Sequence, residues 1–238
     1  MNFRFDHYMQ NLDISDNHIL AVDKTSLRNL HVISLVNLNA SKNVIGYIDV
    51  EAFLGHSKLQ TVDLSSNSIV FIEPKTFIRN PSLKILSLSS NQDLRLPDEG
   101  PFLVSKSLRF LKLSHCKLYY FPPATFQKLP NLQQLDISRN QFETLSSLQN
   151  VGRLNLLDVS HNYMTDLQSD IFTALPELIH LNLSHNSLST LDITVMTQLV
   201  KVSSSADLNG NQWMCDCLMF NTIYSWCRDN SLDLELVF

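Results

Sequence analysis

One eleven-residue pattern, LxxLxLxxNxL, recurs from end to end of the chain and constrains its architecture more than any other feature. It reads MQNLDISDNHI from Met9, LVNLNASKNVI from Leu35, LQTVDLSSNSI from Leu59 and LKILSLSSNQD from Leu83. It continues as LRFLKLSHCKL from Leu108, LQQLDISRNQF from Leu132, LNLLDVSHNYM from Leu154 and LIHLNLSHNSL from Leu178. A degenerate ninth copy, SSSADLNGNQW, starts at Ser203. The ninth position is Asn in every copy except the fifth, where it is Cys116, and it recurs with a period of about 24 residues. Leucines at positions four and six, with polar residues between them, have the alternation of a strand buried on one face. One such unit cannot cover its own leucines, so the copies must stack and bury each other. The asparagine sits where the backbone turns inward, and its amide can bond carbonyls and N–H groups of adjacent turns.

Between these cores runs a second pattern, IEPKTF ending at Phe77, FPPATF at Phe126 and LQSDIF at Phe172. Together the two resemble the typical extracellular subclass of leucine-rich repeats with its Phe spine, over nearly the whole chain. The resemblance implies an α/β leucine-rich repeat solenoid, a curved arc with a parallel β-sheet on its concave face. About eight repeats are regular and a ninth is degenerate. The expected organisation is an N-terminal flank at 1–8, repeats at 9–210 and a partial C-terminal cysteine-rich cap at 211–238.

The segment NQWMCDC, Asn211 to Cys217, followed by a stretch holding Trp226, resembles the cap of secreted leucine-rich repeat proteins. That likeness implies an oxidising compartment and an extracellular, secreted or cell-surface location. Family caps carry four cysteines in two bridges, the last two arriving well after the CDC pair. Here only Cys227 follows, ten residues after Cys217. If both lay on one helix they would be about 15 Å apart, beyond disulfide reach. Cys227 is then either a buried helical thiol or turns back to pair with Cys215. Cys215, Cys217 and Cys227 are the disulfide candidates, and Cys116 reads as a small interior thiol. The short cap, and Phe3, Phe5 and Tyr8 ahead of the first repeat with no cysteine cap, suggest part of a longer ectodomain.

Composition removes other classes. A chain of 238 residues that is 44% hydrophobic is not disordered. A formal charge of −5 gives no dense basic surface for general nucleic-acid binding. No run approaches the roughly 20 apolar residues of a membrane helix, and the opening MNFRFDHYMQ lacks the apolar core of a signal peptide. Five glycines, with no phosphate-loop or dinucleotide fingerprint, argue against nucleotide folds. No HExxH, GxSxG or paired CxxC occurs, and an open arc offers no closed pocket. No catalysis, cofactor or metal is expected.

Binding chemistry is concentrated on the outward positions. Asp13, Asp63, Asp136 and Asp158 share position five, which reads first as a solvated face. Position seven is Ser in eight copies and reads as scaffold. Position eight becomes basic or titratable in the second half, as His115, Arg139, His161 and His185, a column at strand spacing. Beside it stand Arg109, Phe110, Lys112, Leu156 and His180, and Asp136 and Asp158 offset its charge. Exposed Arg and aromatic residues together are the composition of a binding surface; the plain alternative is that Ser-His before Asn is ordinary repeat filler. The sequons Asn39-Ala40-Ser41 and Asn182-Leu183-Ser184 make Asn39 and Asn182 glycosylation candidates. The resemblance, which extends to Toll-like receptors and invertebrate immune or adhesion ectodomains, implies a non-catalytic innate immune recognition module. Its expected partner is a protein or microbial ligand on the concave face or an edge. Nucleic acid and direct membrane insertion are not expected, and a homodimer is left open. Rival readings are an adhesion or developmental receptor ectodomain, or an intracellular scaffold or enzyme inhibitor.

Overall fold

The computed structural model describes residues 8–29, 34–146, 148–202 and 206–214. Cys215, Cys217 and Cys227, Trp226, and Phe3 and Phe5 lie outside the described residues. In chain order the strands are β1 (Asn11–Asp13), β2 (Ala21–Val22), β3 (Asn37–Asn39), β4 (Tyr47–Ile48), β5 (Thr61–Asp63) and β6 (Ile85–Ser87). They continue as β7 (Phe110–Lys112), β8 (Gln134–Asp136), β9 (Leu156–Asp158), β10 (His180–Asn182) and β11 (Ala206–Asp207). Nine of them form one parallel sheet in the order β1-β3-β5-β6-β7-β8-β9-β10-β11, and β2 pairs with β4. The helices are short: α1 (Ser26–Asn29), α2 (Ile171–Ala174) and α3 (Ile193–Val202). Most of the opposite side is turns, so the helical share of the α/β solenoid is small.

Each repeat contributes one strand, and pairing is in strict register. Position four aligns through Leu12, Leu38, Val62, Leu86, Leu111, Leu135, Leu157 and Leu181. These side chains point into one continuous apolar core that runs the length of the stack. The far wall of that core holds the spine phenylalanines. Phe77, Phe126 and Phe172 are joined there by Phe53 and Phe102, all buried, and Phe53 stacks on Phe77 with centroids 4.8 Å apart.

After each strand the chain turns inward and points carbonyls into the interior. The ladder asparagine satisfies them. Asn140 Nδ2 donates to Leu113 O of the preceding repeat at 2.8 Å, and to Ile137 O and Ser138 O of its own at 2.9 and 3.1 Å. Its Oδ1 accepts from the Cys116 and Leu118 N–H groups at 2.9 and 3.0 Å. Asn67, Asn162 and Asn186 repeat the scheme.

Cys116 departs from this scheme for a local reason. The fourth repeat carries an extra residue after Asn91, and Leu94 N–H closes on Asn91 O at 3.1 Å. One donor that an asparagine here would serve is thereby satisfied within its own turn, and a thiol suffices for the rest: Cys116 Sγ lies 3.3 Å from Leu88 O and 3.4 Å from Ser114 O, and the backbone N–H groups of Asn91 and Ser90 hydrogen-bond to it. It is a free, buried cysteine, and burial pushes its thiol up to about 11.

Replacing Asn140 by Ala should cost about 1–3 kcal/mol through unpaired backbone groups, and Leu135→Ala roughly 2–5 kcal/mol through transfer and cavity terms. Gln133→Ala, on the outward side, should stay within about 0.5 kcal/mol. Chemical denaturation would rank the three; equal losses would contradict the register. Native-state alkylation at pH 8 with peptide mapping should leave Cys116 unmodified, whereas rapid labelling there would show that the thiol is not buried.

Candidate functional site

The register gathers the sequence-derived candidates on the concave side. Position three forms a row in which Phe110, Gln134, Leu156 and His180 are successive partners, and position five aligns Lys112, Asp136, Asp158 and Asn182. Arg109, Lys112, His115, Arg139, His180 and His185 are exposed, and Phe110, Asp136, Leu156, Asp158 and His161 are half-buried.

Position eight is placed by the turn, not by the strand. Its residue has left-handed backbone in every regular repeat, from Asp16 at φ 57° through His115, Arg139, His161 and His185 at φ 56°, 55°, 54° and 53°. The degenerate ninth copy has Gly210 there, at φ 68°. The N–H groups of His115, Arg139, His161 and His185 donate to Ser138 O, Ser160 O, Ser184 O and Asn209 O at 2.8–3.0 Å, which extends the inter-repeat ladder beyond the strands. This conformation costs an L-residue roughly 1–2 kcal/mol. It swings position nine into the core, so the fold enforces it at each turn. The clue available in the sequence was Gly210, standing where the other copies carry side chains.

Within the column His161 and His185 stack, with centroids 4.3 Å apart and planes 9° from parallel. His185 lies over Gly210 so closely that a Cβ there would fall 2.5 Å from His185 Nδ1. Gly210 therefore serves both the left-handed turn and the ring above it. His161 has its pKa lowered below the ordinary histidine value, first by burial and then by Arg139 and His185, against the opposing pull of Asp158.

The acidic row also has a structural duty. Asp136 Oδ1 accepts from the Ser138 N–H at 3.0 Å and its hydroxyl at 2.7 Å, and Asp158 Oδ1 accepts from the Ser160 N–H at 2.9 Å. Positions five and seven thus form one turn-capping device. Both sequon asparagines take part. Asn39 and Asn182 cap Ser41 and Ser184, and their Nδ2 atoms donate to Asp13 Oδ2 at 3.2 Å and Asp158 Oδ2 at 3.3 Å.

Two features were missed in the sequence. Lys84 and Ile85 continue the Arg109 and Phe110 rows by one repeat, and the pairing of Ile85 with Phe110 places them there. On one lateral edge, three and four residues past the ladder position, Leu20, Tyr47, Phe71, Tyr119 and Tyr120 are exposed. The same places hold Glu143 and Thr144, Thr165 and Asp166, and Ser189 and Thr190 in repeats 6 to 8. Tyr119 and Tyr120 line a depression of about 400 Å³ with Arg95, Leu96 and Lys117.

Among the described residues, no cluster of three or more His, Cys, Asp or Glu side chains could hold a metal ion. The arrangement suits surface recognition: a long, regular face on which side chains are displayed at fixed spacing. Such a stack of strand, inward turn and asparagine ladder defines a leucine-rich repeat solenoid. The leucine rich repeat family matches at residues 33–92, 106–164 and 152–212, and the chain belongs to that family. A segment of 71 residues is 34% identical to phospholipase A2 inhibitor beta of Elaphe climacophora, covering 30% of this chain and 20% of that protein. Human 5T4 (Wnt-activated inhibitory factor 1, trophoblast glycoprotein) has a similar fold, with a TM-score of 0.65 at 24% identity, over 94% of this chain and 77% of that one. Drosophila Toll, in the structure of its complex with Spatzle, gives 0.63 at 19% identity over 92% of this chain and 32% of its own. The chain therefore spans about a third of the Toll structure and matches a fifth of the inhibitor. These likenesses support a protein-binding leucine-rich repeat module.

A proton NMR titration should find the His161 ring with a midpoint below 6.5, and Arg139→Gln should move it upward. Since this pKa is lower in the folded than in the unfolded chain, the folded state binds fewer protons here. Stability contributed by this group then declines as pH falls below about 6.5. A midpoint at or above 6.5, unchanged by Arg139→Gln, would contradict the stacked, cation-flanked geometry.

Proposed function

We propose that the chain is a non-catalytic recognition module, part of an extracellular leucine-rich repeat ectodomain. It binds a protein or microbial ligand on the concave face or an edge, in Toll-like innate immune signalling. One observation carries this reading: a nine-stranded sheet presents a whole face of side chains, Arg109, Phe110, Arg139, Leu156 and His180 among them, that are exposed or half-buried. Arg and aromatic side chains held on a rigid scaffold can anchor a partner, because little entropy is lost in ordering them. Resemblance to Toll supports the receptor reading, and the NxWxCDC segment supports the extracellular one.

A second reading is favoured by the phospholipase A2 inhibitor match: the same face could block an enzyme by covering it. Both readings place recognition on side chains of the arc, and they differ in the partner.

The extracellular reading is tested by expressing the chain through a eukaryotic secretory route and mapping its thiols by non-reducing mass spectrometry. One bridge among Cys215, Cys217 and Cys227 is expected, with Cys116 reduced. If all four cysteines of the secreted, folded protein emerge as free thiols, with no intrachain bridge and no mixed disulfide to a small thiol or a second chain, the reading fails and an intracellular scaffold or inhibitor takes its place.

A further inference from the structure

We infer that the concave face of the fourth and fifth repeats is a docking site for an acidic, extended segment of a protein partner, with apolar side chains of that segment seated on Ile85 and Phe110. The inference rests on the recognition-module reading and goes further by assigning the chemistry of the partner.

Charge on the concave face is divided along the arc. At positions two, three, five, seven and eight, the first three repeats carry Asp13, Asp16 and Asp63 against one cation, Lys42. At the same positions the fourth and fifth repeats carry Lys84, Arg109, Lys112 and His115 and no carboxylate. This reversal occurs on a chain whose formal charge is −5, so it does not follow from composition. Lys84, Arg109 and Lys112 are exposed, and among the described residues none of them has an ion-pair partner. Cations held side by side repel one another, Asp136 across from Lys112 offsets only one of them, and an acidic partner relieves the remaining repulsion as it binds.

The apolar row makes the patch a site for protein. Ile85 and Phe110 are partners on neighbouring strands and both are half-buried. Lys84 and Arg109 border them on one side, Lys112 and His115 on the other. An apolar centre with a charged rim is the anatomy of a protein interface. A polysulfated sugar would engage the cations and leave Ile85 and Phe110 unused. Neighbouring strands are about 4.8 Å apart, so an extended segment rising about 3.3 Å per residue crosses the patch with only a few residues. The next repeat closes the patch, because Asp136 pairs in register with Lys112 and restores negative charge.

The test uses the full chain and a fluorescein-labelled peptide, Glu-Asp-Phe-Glu-Leu-Glu-Asp, with fluorescence anisotropy as readout. The comparison probes are the same peptide with Lys at each acidic position, a heparin-derived oligosaccharide and a short single-stranded RNA. Saturable binding of the acidic peptide is expected, weakening as sodium chloride rises from about 50 to about 300 mM, with none for the Lys peptide. Lys84→Glu, Arg109→Glu and Lys112→Glu together should weaken it by about tenfold or more, and Phe110→Ser by several fold with unchanged salt sensitivity. Lys42→Glu, which also reverses a concave charge, should leave it unaltered, and melting curves would establish that all variants are folded. The assignment is overturned if the acidic peptide does not bind, if the triple variant binds it as wild type does, or if heparin or RNA binds tightly where the peptide does not. Failure here leaves the cysteine test of the extracellular reading standing, because oxidation of the cap does not depend on concave charge.

Discussion

The structure depends on hydrogen bonding at the inward turn more than on its strands. A regular strand here is three residues long, too short to hold a repeat in place by itself. The turn that follows drives carbonyls into an apolar interior, where each unbonded group would cost about 1–3 kcal/mol. The ladder asparagines supply donors to those carbonyls from within and across repeats, and the left-handed residue before each asparagine adds one more inter-repeat bond. Packing of leucines and phenylalanines then fills a volume whose spacing the polar ladder has set. The exception at Cys116 follows from the same rule, since the fourth repeat bonds its own turn through Leu94 and Asn91.

This constraint assigns duties by position. Positions four and six, with the ladder residue, belong to the core, and where position five is Asp or Asn it caps the turn together with position seven. Variable chemistry is left to positions two, three and eight, to position five where Lys112 replaces the capping residue, and to the lateral edge. The carboxylates of Asp136 and Asp158 belong to the first group in function although they face outward, because their Oδ1 atoms hold the serines of the turn. The proposed recognition surface is accordingly weighted toward Lys84, Arg109, Phe110 and Lys112, and toward the His161–His185 stack. The edge that carries Tyr47, Phe71, Tyr119 and Tyr120 is a second exposed area, fixed to the scaffold by the same periodicity.

Much of the fold was legible because a repeated pattern is read several times over. The solenoid, the strand positions, the inward leucines and the asparagine bonds all follow from spacing, and the pairing of Leu135 with Leu111 and Leu157 is what a common register requires. The concave location of His115, Arg139, His161 and His185 followed in the same way. The left-handed backbone at position eight was hard to read, because its signature of Gly, Asn or Asp survives only at Asp16 and Gly210, and Lys, Ser, Arg and His occupy the other copies under compulsion from the fold. The capping role of Asp136 was hidden because a carboxylate on a sheet face looks solvated until its serine partner is located two residues on. The edge with Tyr119 and Tyr120 lies between the two repeating patterns, in a stretch whose outward direction becomes evident only once the turns are built.

Turn hydrogen bonds, and not the strands alone, fix the concave display. Residue-resolved amide hydrogen exchange tests this most directly. The amides of Leu118, Phe142 and Met164, which donate to ladder asparagines, and those of Arg139 and His161, which donate across repeats, should be protected to the same degree as the strand amides of Leu135 and Leu157. Exchange of the turn amides orders of magnitude faster than the strand amides beside them would contradict it.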